Sequence, residues 1–150
     1  QHMPASFTGA FAERLAQRCA VNVKMAENDD DISRGGVFIA PGGKQMLMNP
    51  NGRLNVRESD DQLNYKPCVD ITFGSCSKSQ FKGILGIVLT GMGSDGKKGA
   101  QMLKNRGHEI WTQSNSSCVV DGMPRSIVNA NLADSVFHLD DFSGKLMELN

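Results

Sequence analysis

The chain has 150 residues, a length that suits one domain better than two. Lysine plus arginine and aspartate plus glutamate number 16 each, so the net charge is zero and does not favour a protein that binds nucleic acid or an anionic membrane. No apolar run approaches the roughly 20 residues that cross a bilayer, so membrane insertion is not expected.

The first half of the chain predicts two helices, two short strands and a β-hairpin. Phe7, Phe11 and Leu15 recur every four residues, which places one apolar stripe along a helix. Asn51-Gly52 lies between two strand-like segments and is a strong hairpin signal. The remaining elements are strands over 21–25 and 37–40, hairpin strands over 45–49 and 53–57, and a helix that opens at Pro67.

The second half alternates strand and helix. In chain order we predict a strand over 84–89, a helix over 97–106, a strand over 109–113, a short helix around Met123 and Ile127, a strand over 135–137 and a helix over 140–149. This alternation predicts an α/β fold: a doubly wound, mostly parallel sheet with helices on both faces, to which the hairpin is an insertion. No repeat or linker is visible, so residues 1–150 are expected to form one domain.

The four cysteines are Cys19, Cys68, Cys76 and Cys118. None forms a CxxC pair, and no histidine lies at zinc-like spacing from them. They lie in apolar stretches, which favours buried, reduced thiols in a cytosolic protein. A catalytic or metal-binding cysteine is the alternative.

Residues 90–96 form the richest motif, a glycine-rich turn after a buried strand and before a helix. Gly91, Gly93 and Gly96 match the dinucleotide-binding pattern GxGxxG. Against that interpretation, Asp95 puts a carboxylate where a pyrophosphate would bind, and no acid follows the next strand to hold a ribose. Two other interpretations of Asp95 remain. It is either a capping residue in a structural turn or a carboxylate placed to orient a histidine.

Three histidines are candidates for such a partner. His108 and His138 flank turns and are predicted to be surface residues. His2 allows three interpretations: a cloning remnant, an unpaired surface residue or a functional residue. The residues themselves do not decide among these.

The chain resembles the CheB family, the protein-glutamate methylesterases of bacterial chemotaxis. The matching segments share their order with the family and run along the whole chain: 1–4, 7–8, 11–15, 38–42, Pro67 with 69–70, 89–93 with 95–96, and 119–120 with 122–125. The segments around 89–96 and 119–125 are specific in combination. The chain is therefore expected to be a methylesterase catalytic domain that lacks its N-terminal part.

This resemblance implies a Ser-His-Asp hydrolase. His2 becomes the general base and later acid, Asp95 the carboxylate that fixes its tautomer, and Met92 the residue whose backbone N–H stabilises the oxyanion. The implied reactions are hydrolysis of glutamate methyl esters and deamidation of glutamine, without metal or other cofactor. The implied substrates are the cytoplasmic helical bundles of chemoreceptors, with a receiver domain upstream and a cytoplasmic location.

Several positions depart from the family pattern. The family's serine lies upstream of its histidine, and no GxSxG stands in this chain, so the chain alone is expected to be inactive. Ser94, Ser116 and Ser117 remain alternative nucleophiles. Gly43 and Gln45 replace the usual aspartate and histidine, while residues 113–115 and 65–66 replace acidic and basic residues near the crevice, which puts the receptor's identity in doubt.

Two other functions remain open: a non-catalytic homologue that binds a receptor or signalling partner, and a dinucleotide-binding module. The triad interpretation makes a geometric prediction. His2 and Asp95 should lie at the carboxyl edge of the sheet, with a carboxylate oxygen roughly 2.6–3.2 Å from an imidazole nitrogen.

Overall fold

The computed structural model describes residues 2–149, apart from the side chain of Arg34. The chain divides into two compact units, Gln1–Phe81 and Lys82–Asn150. This division does not test the prediction that residues 1–150 form one domain.

The first unit combines a two-stranded parallel sheet with a β-hairpin and two helices. Its elements are α1 (Ala5–Ala16), β1 (Val23–Met25), β2 (Val37–Ile39), β3 (Lys44–Met48), β4 (Leu54–Glu58) and α2 (Val69–Cys76). Strand β1 pairs with β2 in parallel, and β3 pairs with β4 antiparallel. The predicted hairpin is confirmed. Its turn closes with Asn49 N–H donating to the Arg53 carbonyl at 2.8 Å, and Gly52 adopts a φ of 82° that favours glycine.

Helix α1 forms as predicted, but a different face of it is buried. Thr8 and Ala12 are buried, whereas Phe7 is 64% exposed and Phe11 lies at the surface. The Thr8 hydroxyl accepts a hydrogen bond from Gly42 N–H at 3.3 Å, so the helix approaches the turn after β2 through its small side chains. The four-residue repeat predicted the helix correctly but not its packed face.

The second unit is a three-stranded parallel sheet with alternating helices. It contains β5 (Leu85–Val88), α3 (Lys97–Lys104), β6 (Glu109–Gln113), α4 (Gly122–Val128), β7 (Ser135–Phe137) and α5 (Phe142–Met147). The strand order is β5-β6-β7, with Leu85 opposite Glu109 and Trp111 opposite Ser135. The predicted strand–helix alternation is therefore confirmed.

The central strand β6 is buried on both of its faces. Ile110 is fully buried, as are Leu103 of α3 and Ile127 of α4, and both helices contact β6. The neighbouring Trp111 instead makes aromatic contacts with Phe137 and with Phe142 of α5. Because successive side chains of a strand point to opposite faces, α5 and the α3–α4 pair lie on opposite sides of this sheet. Helices on both faces are thus confirmed for this unit.

Two predictions about single residues were wrong. His108 is only 7% exposed, because Gly107, at a φ of 77°, turns the chain inward and His108 N–H donates to the Leu103 carbonyl. Within residues 2–149 its Nδ1 has no hydrogen-bond partner. Among the four cysteines only Cys68 is buried, Cys76 and Cys118 are partly exposed, and Cys19 is exposed. His138 lies at the surface, as predicted.

The described residues contain neither a membrane-spanning helix nor a cluster of metal-binding side chains. Between residues 2 and 149, no helix is long and apolar enough to cross a membrane. In the same residues, no group of three or more histidine, cysteine, aspartate or glutamate side chains is arranged to hold a metal ion.

Candidate active site

His2 lies in the first unit, where the start of the chain packs against the turn after β2. A Cβ atom added at Gly42 would lie 2.4 Å from the Met3 carbonyl oxygen and 2.5 Å from Ala5 N, so only glycine allows this approach. His2 has a φ of 62°, which is uncommon for a residue other than glycine. Its ring stacks on Tyr65, with ring centroids 4.5 Å apart.

Gln45 holds the loop that carries Tyr65. Its side chain is fully buried, and Nε2 donates to the Tyr65 carbonyl at 2.8 Å and to Ser59 Oγ at 2.9 Å. Its Oε1 accepts from Cys68 N–H at 2.8 Å. One carboxamide thus connects three points of the loop before α2. The sequence marked Gln45 only as a departure from the family pattern, and no local signal indicated this role.

The glycine-rich loop, residues 90–96, lies in the second unit and interlocks with the start of α4. Gly91 N–H donates to the Val120 carbonyl, and Met123 N–H donates to the Gly91 carbonyl, both at 2.8 Å. A Cβ atom at Gly122 would lie 2.9 Å from Gly93 N. The two segments on which the family resemblance depends most are therefore in direct contact.

Asp95 and Met92 differ sharply in exposure within this loop. Asp95 is buried, and its Oδ1 accepts a hydrogen bond from Gly96 N–H at 2.9 Å where α3 begins. The Met92 side chain is 80% exposed, and within the described residues its backbone N–H donates to no other group. An oriented carboxylate and a backbone N–H that faces no internal acceptor have the chemistry of a triad carboxylate and an oxyanion donor.

Gln113 fixes the entrance to the same loop. It is fully buried at the end of β6, and its Oε1 accepts from Thr90 N–H at 2.8 Å. Its Nε2 donates to the Ser117 carbonyl at 2.7 Å. The sequence did not indicate this role, because Thr90 is 23 positions away from Gln113 in the chain.

The surroundings of Asp95 and of Cys118 bear on two alternatives, a dinucleotide-binding site and a reactive cysteine. Asp95 already accepts the Gly96 N–H, an amide that a bound pyrophosphate would use, and β6 ends in a buried carboxamide rather than an acid. Both features disfavour a dinucleotide site. Burial, and the nearby Asp121 carboxylate, raise the pKa of the Cys118 thiol, which opposes formation of a reactive thiolate.

Contacts disfavour two of the three serine alternatives, Ser116 and Ser117. Each hydroxyl hydrogen-bonds to that of Ser114, and Ser117 Oγ also accepts from Leu139 N–H at 3.1 Å. In residues 2–149 no hydrogen bond joins these hydroxyls to a histidine. His2 and Asp95 belong to different units, so their predicted contact stays a prediction.

Comparison with known proteins identifies the family. A model of the CheB methylesterase family matches residues 1–146. Proteins named protein-glutamate methylesterase/protein-glutamine glutaminase from Pseudomonas putida and Pseudomonas aeruginosa are 54% and 52% identical over 148 residues, which is 99% of this chain. The chain spans about 40% of the length of these curated relatives.

The structural comparison agrees with the sequence comparison. The CheB methylesterase catalytic domain of Thermotoga maritima is 35% identical, with a TM-score of 0.86 over 100% of this chain and 81% of that one. The predicted doubly wound α/β fold is confirmed by this match. The chain belongs to the CheB methylesterase family.

Proposed function

We propose that this chain forms most of the catalytic domain of a protein-glutamate methylesterase that also deamidates glutamine. The observation that carries the proposal is the loop 90–96, which combines the buried Asp95 carboxylate with a Met92 N–H that donates to no other group within the described residues. In the proposal, His2 completes the site from the first unit, and a serine upstream of His2 is the nucleophile. The names of the Pseudomonas relatives support both activities.

The proposed reaction proceeds through an acyl-enzyme. His2 removes the serine proton, the serine oxygen attacks the ester carbonyl, and the Met92 N–H stabilises the resulting oxyanion. The carbon–methoxy bond then breaks, and methanol leaves with the proton from His2. Water, deprotonated by His2, attacks the acyl-enzyme and releases serine and the glutamate carboxylate. With glutamine as substrate, the carbon–nitrogen bond breaks and ammonia leaves.

Each of the three residues of this chain has one role. Asp95 holds His2 in the tautomer that accepts the serine proton and stabilises the imidazolium that forms. His2 moves the proton in both halves of the reaction. No step requires a metal or nucleotide. Substrate, regulation and location follow the family in this proposal: a cytoplasmic chemoreceptor region as substrate, a receiver domain upstream as regulator, and a cytoplasmic site of action.

Methanol release from a methylated chemoreceptor fragment tests the proposal. Two proteins are compared: the 150-residue chain alone, and the chain joined behind the upstream region of its Pseudomonas putida relative. We expect turnover only from the joined protein, because loss of the nucleophile in a serine hydrolase costs about 10⁶-fold in kcat. No release by the joined protein would favour the non-catalytic alternative, and release by the chain alone would move the nucleophile to one of its own serines.

A further inference from the structure

The second unit contains a cavity beside the proposed site that the reaction itself does not use. It encloses about 230 Å³ between α4 and the carboxyl ends of β6 and β7. Three apolar and four polar side chains line it: Pro124, Val128, Val136, Gln113, Asn115, Asp121 and Arg125. The cavity lies entirely within residues 82–150 and so depends on one unit only.

The size and lining of the cavity indicate what kind of group it accepts. Pockets that bind small molecules and cofactors usually enclose roughly 300–1,000 Å³, so this one is small for such a ligand. Val128 and Val136 are each almost half exposed and form its apolar wall. Covering apolar surface of this kind is favourable. A single apolar side chain from a protein partner fits these properties better than a free cofactor.

The charged residues at the rim of the cavity place a second requirement on the partner that binds there. Arg125 Nε lies 3.7 Å from Asp121 Oδ2, and the Arg125 side chain is 64% exposed whereas that of Asp121 is 20% exposed. Arg125 partly neutralises Asp121 through Nε, but its side chain stays largely exposed. Its terminal N–H groups are therefore able to bind a second carboxylate in a bidentate manner. The partner that complements this rim carries an acidic residue near its apolar one.

Two hydrogen bonds, one to a backbone carbonyl and one to a side-chain oxygen, connect residues at the cavity to the proposed catalytic loop. Val120, the residue before Asp121, accepts from Gly91 N–H at 2.8 Å. Gln113, which also borders the cavity, accepts from Thr90 N–H at 2.8 Å. A side chain held in the cavity is therefore close to the loop that carries Met92 and Asp95.

We propose that the cavity is a recognition subsite for the protein substrate. It receives an apolar side chain next to the reacting glutamine or glutamyl ester, while Arg125 pairs with a neighbouring carboxylate of the same segment. This inference depends on the proposed function for its substrate. It adds the residues that select the sequence around the modified position.

Binding of a fluorescently labelled, methylated chemoreceptor fragment to the 150-residue chain tests the subsite without requiring turnover. Val136→Trp, which fills the cavity, should raise Kd about tenfold, and Val128→Trp should act in the same direction from the helix side. Arg125→Gln should raise Kd several-fold, and Arg125→Glu should raise it further. The matched control is Met147→Trp, which adds the same ring at an exposed position of α5 outside the cavity. It should bind like the parent chain.

The outcomes separate this inference from the proposed function. An unchanged Kd in Val136→Trp, Val128→Trp and Arg125→Gln, or no binding by the parent chain, overturns the subsite. Methanol release by the joined protein decides the proposed function independently. If one tryptophan variant fails to fold by circular dichroism, the other and the Arg125 variants still decide the question.

Discussion

Each unit of the molecule contains a fully buried glutamine that holds a loop of the proposed site, and the two differ in how directly they act. Gln113 bonds to the backbone of Thr90, at the base of the catalytic loop itself. Gln45 bonds to the backbone of Tyr65, whose ring stacks on that of His2. The comparison indicates a rigid carboxylate and oxyanion loop in the second unit and a more adjustable histidine in the first.

The surroundings of the loop 90–96 and of His2 support this difference in rigidity. In the second unit, a Cβ at Gly122 would meet the Gly93 backbone at 2.9 Å, and one at Gly91 would meet the Met123 side chain at 2.5 Å. In the first unit, the backbone before α1 meets Gly42 equally closely, but the His2 side chain is only partly buried. A histidine that must move a proton in two directions benefits from such freedom, whereas an oxyanion donor must be placed in advance.

Removing one site residue from each unit should have the largest effect. In the joined protein, His2→Ala should abolish nearly all methanol release, and Asp95→Asn should lower kcat by up to about 10⁴-fold because the imidazole would be held in the wrong tautomer. Both variants should keep their thermal unfolding midpoint within a few degrees. Full activity in either variant would show that its unit contributes no catalytic group.

Replacing the two glutamines tests the comparison directly. Gln113→Leu and Gln45→Leu should each lower the free energy of unfolding, by about 1–3 kcal/mol for every buried group left without a partner. Only Gln113→Leu should also lower kcat strongly, because it releases Thr90. Denaturant unfolding and methanol release are the measurements, and Gln101→Leu on the exposed side of α3 is the matched control. Equal losses of kcat in the two variants would contradict the proposed difference in rigidity.

Adding a single methyl group at the close contacts should have a smaller effect. Gly122→Ala should cost about 1–3 kcal/mol of stability, because its Cβ would meet the Gly93 backbone. It should also lower kcat, since Gly93 follows Met92. Gly144→Ala, in α5 with nothing within 4 Å of its added Cβ, is the control and should be neutral or stabilising. Unchanged kcat and unchanged stability in Gly122→Ala would contradict the close packing of the loop 90–96 against the start of α4.

The smallest expected effect is an acid-dependent loss of stability at Asp134. Burial opposes its ionisation, but hydrogen bonds from Lys104 and from Ile110 N–H outweigh that and hold the pKa of Asp134 below its ordinary value. A carboxylate with a lowered pKa in the folded state stabilises the fold above the unfolded pKa near 4, and this contribution disappears as pH falls through the folded pKa. Because the group is one-third exposed, we expect about 1 kcal/mol or less.

Unfolding measured from pH 7 down to pH 3 checks the Asp134 prediction. Asp134→Asn should flatten the acid dependence and bring the parent and variant together at low pH. Asp30 provides the corresponding test in the first unit. Burial again opposes ionisation, and hydrogen bonds from Glu27 N–H and Lys24 lower the pKa of Asp30. If stability fell more steeply with decreasing pH in Asp134→Asn than in the parent protein, the stabilising role of the Asp134 carboxylate would be contradicted.

Local patterns in the sequence predicted most elements of both units. Strand–helix alternation after residue 82 is a short-range property, since each apolar run and each glycine stop acts within a few residues. The hairpin was predicted from Asn51-Gly52 between two strand-like segments, and its observed strands are shifted by one residue from the predicted ones. The roles of His2, Asp95 and Met92 came from the family resemblance, and the structure adds the burial of Asp95 and the exposure of Met92.

By itself, the sequence determined where helices, strands and turns form and which family the chain resembles, because those features depend on neighbouring residues. Only the tertiary structure decided which side chains are buried. Thr8 is buried instead of Phe7 because a close approach to Gly42 needs a small side chain, and His108 lies inside because Gly107 redirects the chain. Gln45 and Gln113 bond to residues on other loops, as many as 23 positions away. No local pattern contains such partners, since they meet only when the chain folds.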